Sequence, residues 1–218
     1  MNLYIVVEGE TEGIVYKKWI KYLNPSLRCV DALDQIQNND FILFTGHGSP
    51  FYFEIIESAI DDVNNHPIVD RLVIAVDSDD MSYEEKLEEI RHYTNNHHCR
   101  VPISIVVQHF CFETWALANR TIVTRHPQSQ RLRSYISFYN VIENDPELMP
   151  PLASESLNRA QFAFKYLKSA INEKYRNLGY SKSNPHVLLN RNYFERVKRR
   201  YKETSHIASF RNFLEAFS

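Results

Sequence analysis

Four acidic positions in this 218-residue chain are of the type and placement that could work on a phosphate. Glu8 directly follows the apolar run Leu3-Tyr4-Ile5-Val6-Val7. Asp77 and Asp79 directly follow Leu72-Val73-Ile74-Ala75-Val76, and Glu113 comes shortly after Pro102-Ile103-Ser104-Ile105-Val106-Val107. Hard divalent ions such as Mg²⁺ or Mn²⁺ take oxygen ligands, often only one or two carboxylates completed by water and substrate phosphate. Acids converging on one place repel one another unless a cation sits among them. In phosphoryl chemistry such an ion activates water and stabilises the charge that develops on the phosphate. Each residue also has a plainer account. An Asp after a strand commonly forms a turn or caps a helix, which suits Asp77 and Asp80. Glu12 reads equally as a solvent-facing residue of a first helical turn, and Glu113 as an acid that complements a helix dipole.

The elements that must position these acids alternate between two periods. The runs 3–7, 41–44, 72–76 and 102–107 are short, continuous and rich in β-branched residues, as strands buried on both faces are. Between them lie helical spacings. Ile14, Trp19, Ile20 and Leu23 mark a helix over 13–23 that stops at Asn24-Pro25, and Phe51, Ile55, Ile56, Ala59 and Ile60 mark a second. The third, over 82–96, has Ser82 as its N-cap and Glu84 and Glu85 in its first turn. Strands alternating with helices predict an α/β fold with a mainly parallel sheet covered on both faces. Ligands in such sheets bind beyond the carboxyl ends of the strands, where these acids fall. Beyond residue 123 the patterns are mostly helical, over 154–177, 191–202 and 205–217, with Pro127, Pro146, Pro150 and Pro151 interrupting the stretch before them. The expected organisation is therefore a core at 1–123 and a helical C-terminal extension at 124–218 packed on it.

With these elements in place, Val7-Glu8-Gly9-Glu10-Thr11-Glu12 resembles the VEGxTE element of TOPRIM-domain nucleases, and Val76-Asp77-Ser78-Asp79 that fold's DxD motif. Phe112-Glu113-Thr114-Trp115 resembles the FExW element of small stand-alone bacterial TOPRIM-like proteins, which sit near the overcoming-lysogenization-defect family nucleases and often occur in phage-defence loci. The resemblance covers 3–118 and leaves the C-terminal half largely uncovered. It implies a TOPRIM fold and a divalent-metal-dependent nuclease, with Glu8 as general acid/base or metal ligand, Asp77 and Asp79 binding Mg²⁺ or Mn²⁺, and Glu12 and Glu113 supporting the site. It also implies nucleic acid as substrate and a partner ATPase, which this chain does not itself contain. Relatives often place a lysine near the metals. Lys17, Lys18 and Lys182 are the candidates here.

Charge distribution bears on the same reading. The net charge is only −2, yet 191–202 holds six Lys or Arg in twelve residues: Arg191, Arg196, Lys198, Arg199, Arg200 and Lys202. Acidic residues crowd into 54–90. An acidic pocket beside a basic face is what a nucleic-acid enzyme needs, although Lys and Arg also form ordinary solvated helix faces. Tyr193, Phe194 and Tyr201 lie among these charges, as stacking residues would. His47 in Gly46-His47-Gly48 could approach a phosphate, but a plain strand-to-helix turn accounts for it. His97-His98-Cys99 places consecutive residues that rarely aim at one ion. There is no GxGxxG, GxxxxGK[ST] or GxSxG, so nothing indicates a dinucleotide fold, an in-chain ATPase or a serine hydrolase.

Three cysteines without CxxC spacing indicate reduced thiols, and with no leader pattern and no long apolar run the expected location is cytoplasmic, without a membrane partner. Homo-oligomerisation stays open. Two other functions compete. A phosphatase with Asp77 as its nucleophile shares the strand-then-Asp-x-Asp pattern, but that pattern normally begins its fold and leaves Glu8 idle. A non-catalytic regulatory or nucleic-acid-binding subunit would keep the shape and bind no metal.

Overall fold

The computed structural model describes residues 1–46, 51–175 and 178–218. The loop containing His47 lies outside the described residues. Five strands, β1 (Leu3–Val7), β2 (Arg28–Cys29), β3 (Asp40–Thr45), β4 (Arg71–Asp77) and β5 (Ile103–Gln108), form one parallel sheet in the order β2-β3-β1-β4-β5. Val7 pairs with Thr45 of β3 on one side and with Ala75 of β4 on the other. β1 is buried throughout, as its unbroken apolar run predicts. The chain leaves β1 for the edge strand β2, returns to β3 beside β1, and then crosses to β4 and β5 on the other side. The order therefore reverses between β1 and β4, the kind of switch point beside which open α/β sheets bind ligands.

Two compact units divide the chain. The first comprises 1–76, 82–107 and 212–218, and the second 77–81 and 108–211. In the first unit, α1 (Glu10–Leu23), α2 (Tyr52–Asn65) and α3 (Tyr83–Asn95) accompany the strands. Tyr4, Ile42, Ile56, Ile60, Leu72, Ile74 and Ile90 form one apolar cluster. On α1, Tyr16 and Trp19 are fully buried and meet Phe213 edge-on, with ring centres 4.9 and 6.1 Å apart. Phe213 belongs to α8 (Phe210–Phe217), so the last residues of the chain are part of the sheet unit. Gly13 sits where a side chain has no room, because a Cβ there would lie 2.2 Å from the Thr45 methyl.

The second unit is helical: α4 (Phe112–Leu117), α5 (Gln130–Phe138), α6 (Arg159–Lys174), α7 (Arg191–Thr204) and the first residues of α8. Its boundary falls at 107/108, earlier than the expected 123/124, because α4 packs within this unit. Trp115 meets Phe210 at 5.1 Å, and the Tyr193 hydroxyl donates to the Ala116 carbonyl at 2.8 Å. The helix expected over 154–177 begins only at Arg159. A short 3-10 turn at Ala153–Glu155 and a left-handed Ser156 precede it, and Asn158 with Gln161 forms a reciprocal cap that fixes the start. Similarly, left-handed Ser205 and Ile207 hold the last helix back to Phe210. Among the described residues no helix is long and apolar enough to cross a membrane.

Candidate functional site

In the second unit, Asp77, Asp79 and Glu113 line one cavity of about 480 Å³. Asp77 is the last residue of β4, and its Oδ1 accepts the Phe112 amide at 3.1 Å, which satisfies one of the open N–H groups at the start of α4. Glu113, in the first turn of α4, is 2% exposed and accepts the Tyr180 hydroxyl on Oε1 at 2.9 Å. Asp79 is exposed and left-handed, with φ 49°, a conformation Asp tolerates better than most residues. Its amide donates to the Phe110 carbonyl at 2.8 Å, and that of Ser78 to Gln108 at 3.0 Å. The two acids of the Asp-Ser-Asp turn are thus fixed by backbone bonds to the segment that leads into α4.

Two lysines, Lys165 of α6 and Lys182, line the same cavity. Lys182 is one of the three lysines that the sequence offers; the other two, Lys17 and Lys18, are exposed on α1. Lys165 carries no sequence signal, because it lies in a helix of ordinary amphipathic pattern and only tertiary packing brings it here. Cys111 also lines the cavity. Burial, reinforced by the charges of Glu113 and Asp77, pushes its thiol well above the ordinary range, so it stays protonated.

Glu8 and Glu12 belong to the sheet unit. Glu8 follows β1, and its amide donates to the Ala75 carbonyl at 3.1 Å. Burial pushes the Tyr52 hydroxyl up to about 12; Lys86 opposes this, and the charges of Glu89 and Glu8 add to it. The surroundings of Glu8 therefore include a tyrosine whose hydroxyl is 3.3 Å from the Lys86 ammonium, which itself donates to Glu89 at 2.6 Å. Neither Tyr52 nor Lys86 stands out in the sequence, since each fits an amphipathic helix. Glu12 is 4% exposed rather than solvent-facing, and a Cβ on Gly9 would lie 2.7 Å from its Oε2. A side chain at this turn would therefore have to displace the Glu12 carboxylate.

The basic segment folds as α7. Arg191, Arg196, Arg199 and Lys202 are exposed on it, while Lys198 is half-buried and pairs with Glu195 at 3.0 Å. Arg200 corrects the expectation of a phosphate-facing residue. It is 2% exposed, and its guanidinium donates to the carbonyls of Val141 and Asn144, each at 2.6 Å. Its spacing from Tyr193 and Val197 puts it on the buried stripe of the helix.

A larger cavity of about 810 Å³ in the sheet unit is lined by His97, His98 and Cys99. Among the described residues its lining has no carboxylate, the donor that a hard cation usually takes from a protein. Among the described residues no three His, Cys, Asp or Glu side chains are grouped to hold a metal ion. Comparison of the chain with protein-family models, curated proteins and solved structures returns no match.

Proposed function

We propose that the cavity bearing Asp77, Asp79 and Glu113 is the catalytic centre of a divalent-metal-dependent nuclease that hydrolyses phosphodiester bonds. The observation that carries this reading is the lining itself: three carboxylates and two lysines in one concave site of a size that takes a small ligand. The donor set is all oxygen and suits Mg²⁺ or Mn²⁺ better than a soft metal. Asp77 and Asp79 are the residues to hold the ion, its shell completed by water and substrate phosphate rather than by a third protein ligand, with Glu113 in support. A bound ion would supply Lewis acidity and a more acidic water. The remaining work belongs to the chain. Lys165 and Lys182 attract the phosphate. The Phe112 amide and the Tyr180 hydroxyl hold Asp77 and Glu113 in fixed orientations, so no reorganisation is needed when charge develops. Glu8 enters this reading through its sequence motif, as does the proposal of a TOPRIM-type protein of bacterial phage defence with an ATPase partner.

The test uses the full-length protein with Mg²⁺ or Mn²⁺ on single- and double-stranded DNA and on RNA, alongside a calorimetric Mn²⁺ titration. Asp77→Asn and Asp79→Asn should each lower cleavage by roughly a hundredfold or more, the scale of single electrostatic catalytic groups, and should weaken Mn²⁺ binding. Cleavage that survives both changes, or that persists in chelator, refutes the assignment. A wild-type chain that binds nucleic acid but neither Mn²⁺ nor Mg²⁺ would instead be a binding subunit. Glu8→Gln with full activity would remove Glu8 from the machinery.

A further inference from the structure

A second cavity of the helical unit, about 430 Å³, has the opposite chemistry. Lys174 at the end of α6, Arg196 on α7 and His186 line it, together with Asn119, Asn190 and Tyr175, and among the described residues the lining contains no Asp or Glu. Among the described residues neither Lys174 nor Arg196 takes part in an ion pair. Two cations facing one cavity without a counter-charge repel each other. In keeping with this, burial and then the charge of Arg196 lower the Lys174 ammonium below its ordinary range. One Lys174 donor goes to the Thr121 carbonyl, leaving two of its three.

The helix that opens beside this cavity adds to the positive field. Asn190 caps α7 by accepting the Asn192 amide at 2.8 Å, and the first turn carries no acid. Helix starts ordinarily gather acids against the exposed N–H groups. Here Arg191 stands in their place. On the apolar side, Tyr175 is 36% exposed with the Lys174 ammonium 5.9 Å from its ring centre, and Leu178 is 49% exposed. Cations without counter-charge, carboxamides and an exposed ring in a space of this size match the three parts of a nucleotide: phosphate, base edge and base face.

We propose that this cavity is a nucleotide-phosphate site, with the phosphate held between Lys174 and Arg196 beside the start of α7 and the base against Tyr175 and Leu178. The ligand is either a free nucleoside 5′-phosphate or the phosphorylated end of a strand. The site is separate from the acidic cavity, so it does not depend on the metal-centre reading.

Binding is measured by calorimetry on the full-length protein in chelator, where cleavage plays no part. The probes are inorganic phosphate, AMP, UMP and a short oligonucleotide with either a 5′-phosphate or a 5′-hydroxyl. AMP or UMP should bind more tightly than phosphate alone. Lys174→Gln and Arg196→Gln should each weaken binding about tenfold, the loss expected for one charge-assisted hydrogen bond. Tyr175→Ala should weaken the nucleotides and leave phosphate unchanged. Preference for the 5′-phosphorylated oligonucleotide over its 5′-hydroxyl twin identifies a strand end, and free nucleotides binding better than both identifies a free nucleotide. The proposal is overturned if no probe binds the wild type, or if both variants bind as the wild type does with unchanged circular dichroism. It is equally overturned if Arg131→Gln, a change in an exposed cation of α5 outside the cavity, weakens binding as much as they do.

Discussion

The two units bury charge in different ways. In the sheet unit, two buried ions sit beside opposite charge. Asp40 is fully buried and receives the Arg28 guanidinium as a fork at 2.8 and 2.9 Å, and Lys86 meets Glu89 at 2.6 Å. In the helical unit, Arg200 and Glu147 are buried with no ion-pair partner among the described residues. Arg200 is held by backbone carbonyls and by His206 Nδ1 at 3.0 Å, and burial lowers it to about 10, so it is still charged at neutral pH. Glu147 accepts the amide and hydroxyl of Ser209, whose Oγ also accepts Trp115 Nε1 at 2.7 Å. A pair neutralises itself and changes little between about pH 5 and 8. A lone buried ion held by neutral dipoles is exposed to every change in its protonation or in its partners.

The largest expected effect breaks this contrast at Arg200. Arg200→Ala leaves the buried Val141 carbonyl and the part-buried Asn144 carbonyl without this donor, at a cost of about 1–3 kcal/mol for the first and less for the second, and it also removes the packing of a buried side chain. Denaturant titration should therefore show unfolding free energy lower by about 3 kcal/mol or more. A loss below about 1 kcal/mol, the ordinary cost of a point substitution, would show that Arg200 is no keystone. Glu147 gives the next effect, and its sign follows from the direction in which burial moves it. Burial raises its carboxyl from 4.5 to about 7, so its stabilising contribution is fully present below about 4.5 and is lost as pH rises through 7. Between about pH 5 and 8 unfolding free energy should drop by roughly 2–3 kcal/mol, since each tenfold change in proton affinity is worth about 1.4 kcal/mol. Glu147→Gln should flatten that slope, and a slope unchanged in the variant would place its origin elsewhere. The smallest effect belongs to the sheet unit. Ser82→Ala removes a reciprocal cap with Glu85 and should cost about 1 kcal/mol, by the same amount at about pH 5 and pH 8. A strongly pH-dependent cost there would erase the distinction between the units.

Ser82 also marks how far sequence reaches. Its cap is written locally, with a hydroxyl three residues before Glu85, and the observed box matches that reading. β1 and β4 are legible for a similar reason: unbroken apolar runs identify strands covered on both faces, and the edge strand β5 is marked by Ile103, Ile105, Val106 and Val107. β2 is not, because two residues carry no period, and neither is α5, whose buried residues reduce to Leu132 and Tyr135. Within the acidic cavity, Asp77, Asp79 and Glu113 can be named in advance because strand ends and a helix start mark them. Lys165 comes from a helix that only tertiary packing brings there. Arg200 misleads because a run of charges draws the eye along the chain, while the buried stripe of α7 runs through every third or fourth residue. The hydrogen bond from Ser209 to Glu147 joins residues 62 apart, which no local pattern encodes.

The sheet unit is discontinuous in a way that bears on synthesis. Tyr16 and Trp19 are among the first residues made, yet the ring that meets them edge-on, Phe213, is separated from residue 107 by about a hundred residues of the other unit. At about 5–20 residues per second, a chain that has completed residue 107 needs roughly 5–20 s more to reach Phe213, with those two rings still uncovered by their final neighbour. Throughout that interval the nascent sheet unit presents a sticky aromatic face that a chaperone could shield, and translation speed over the helical unit sets how long the exposure lasts.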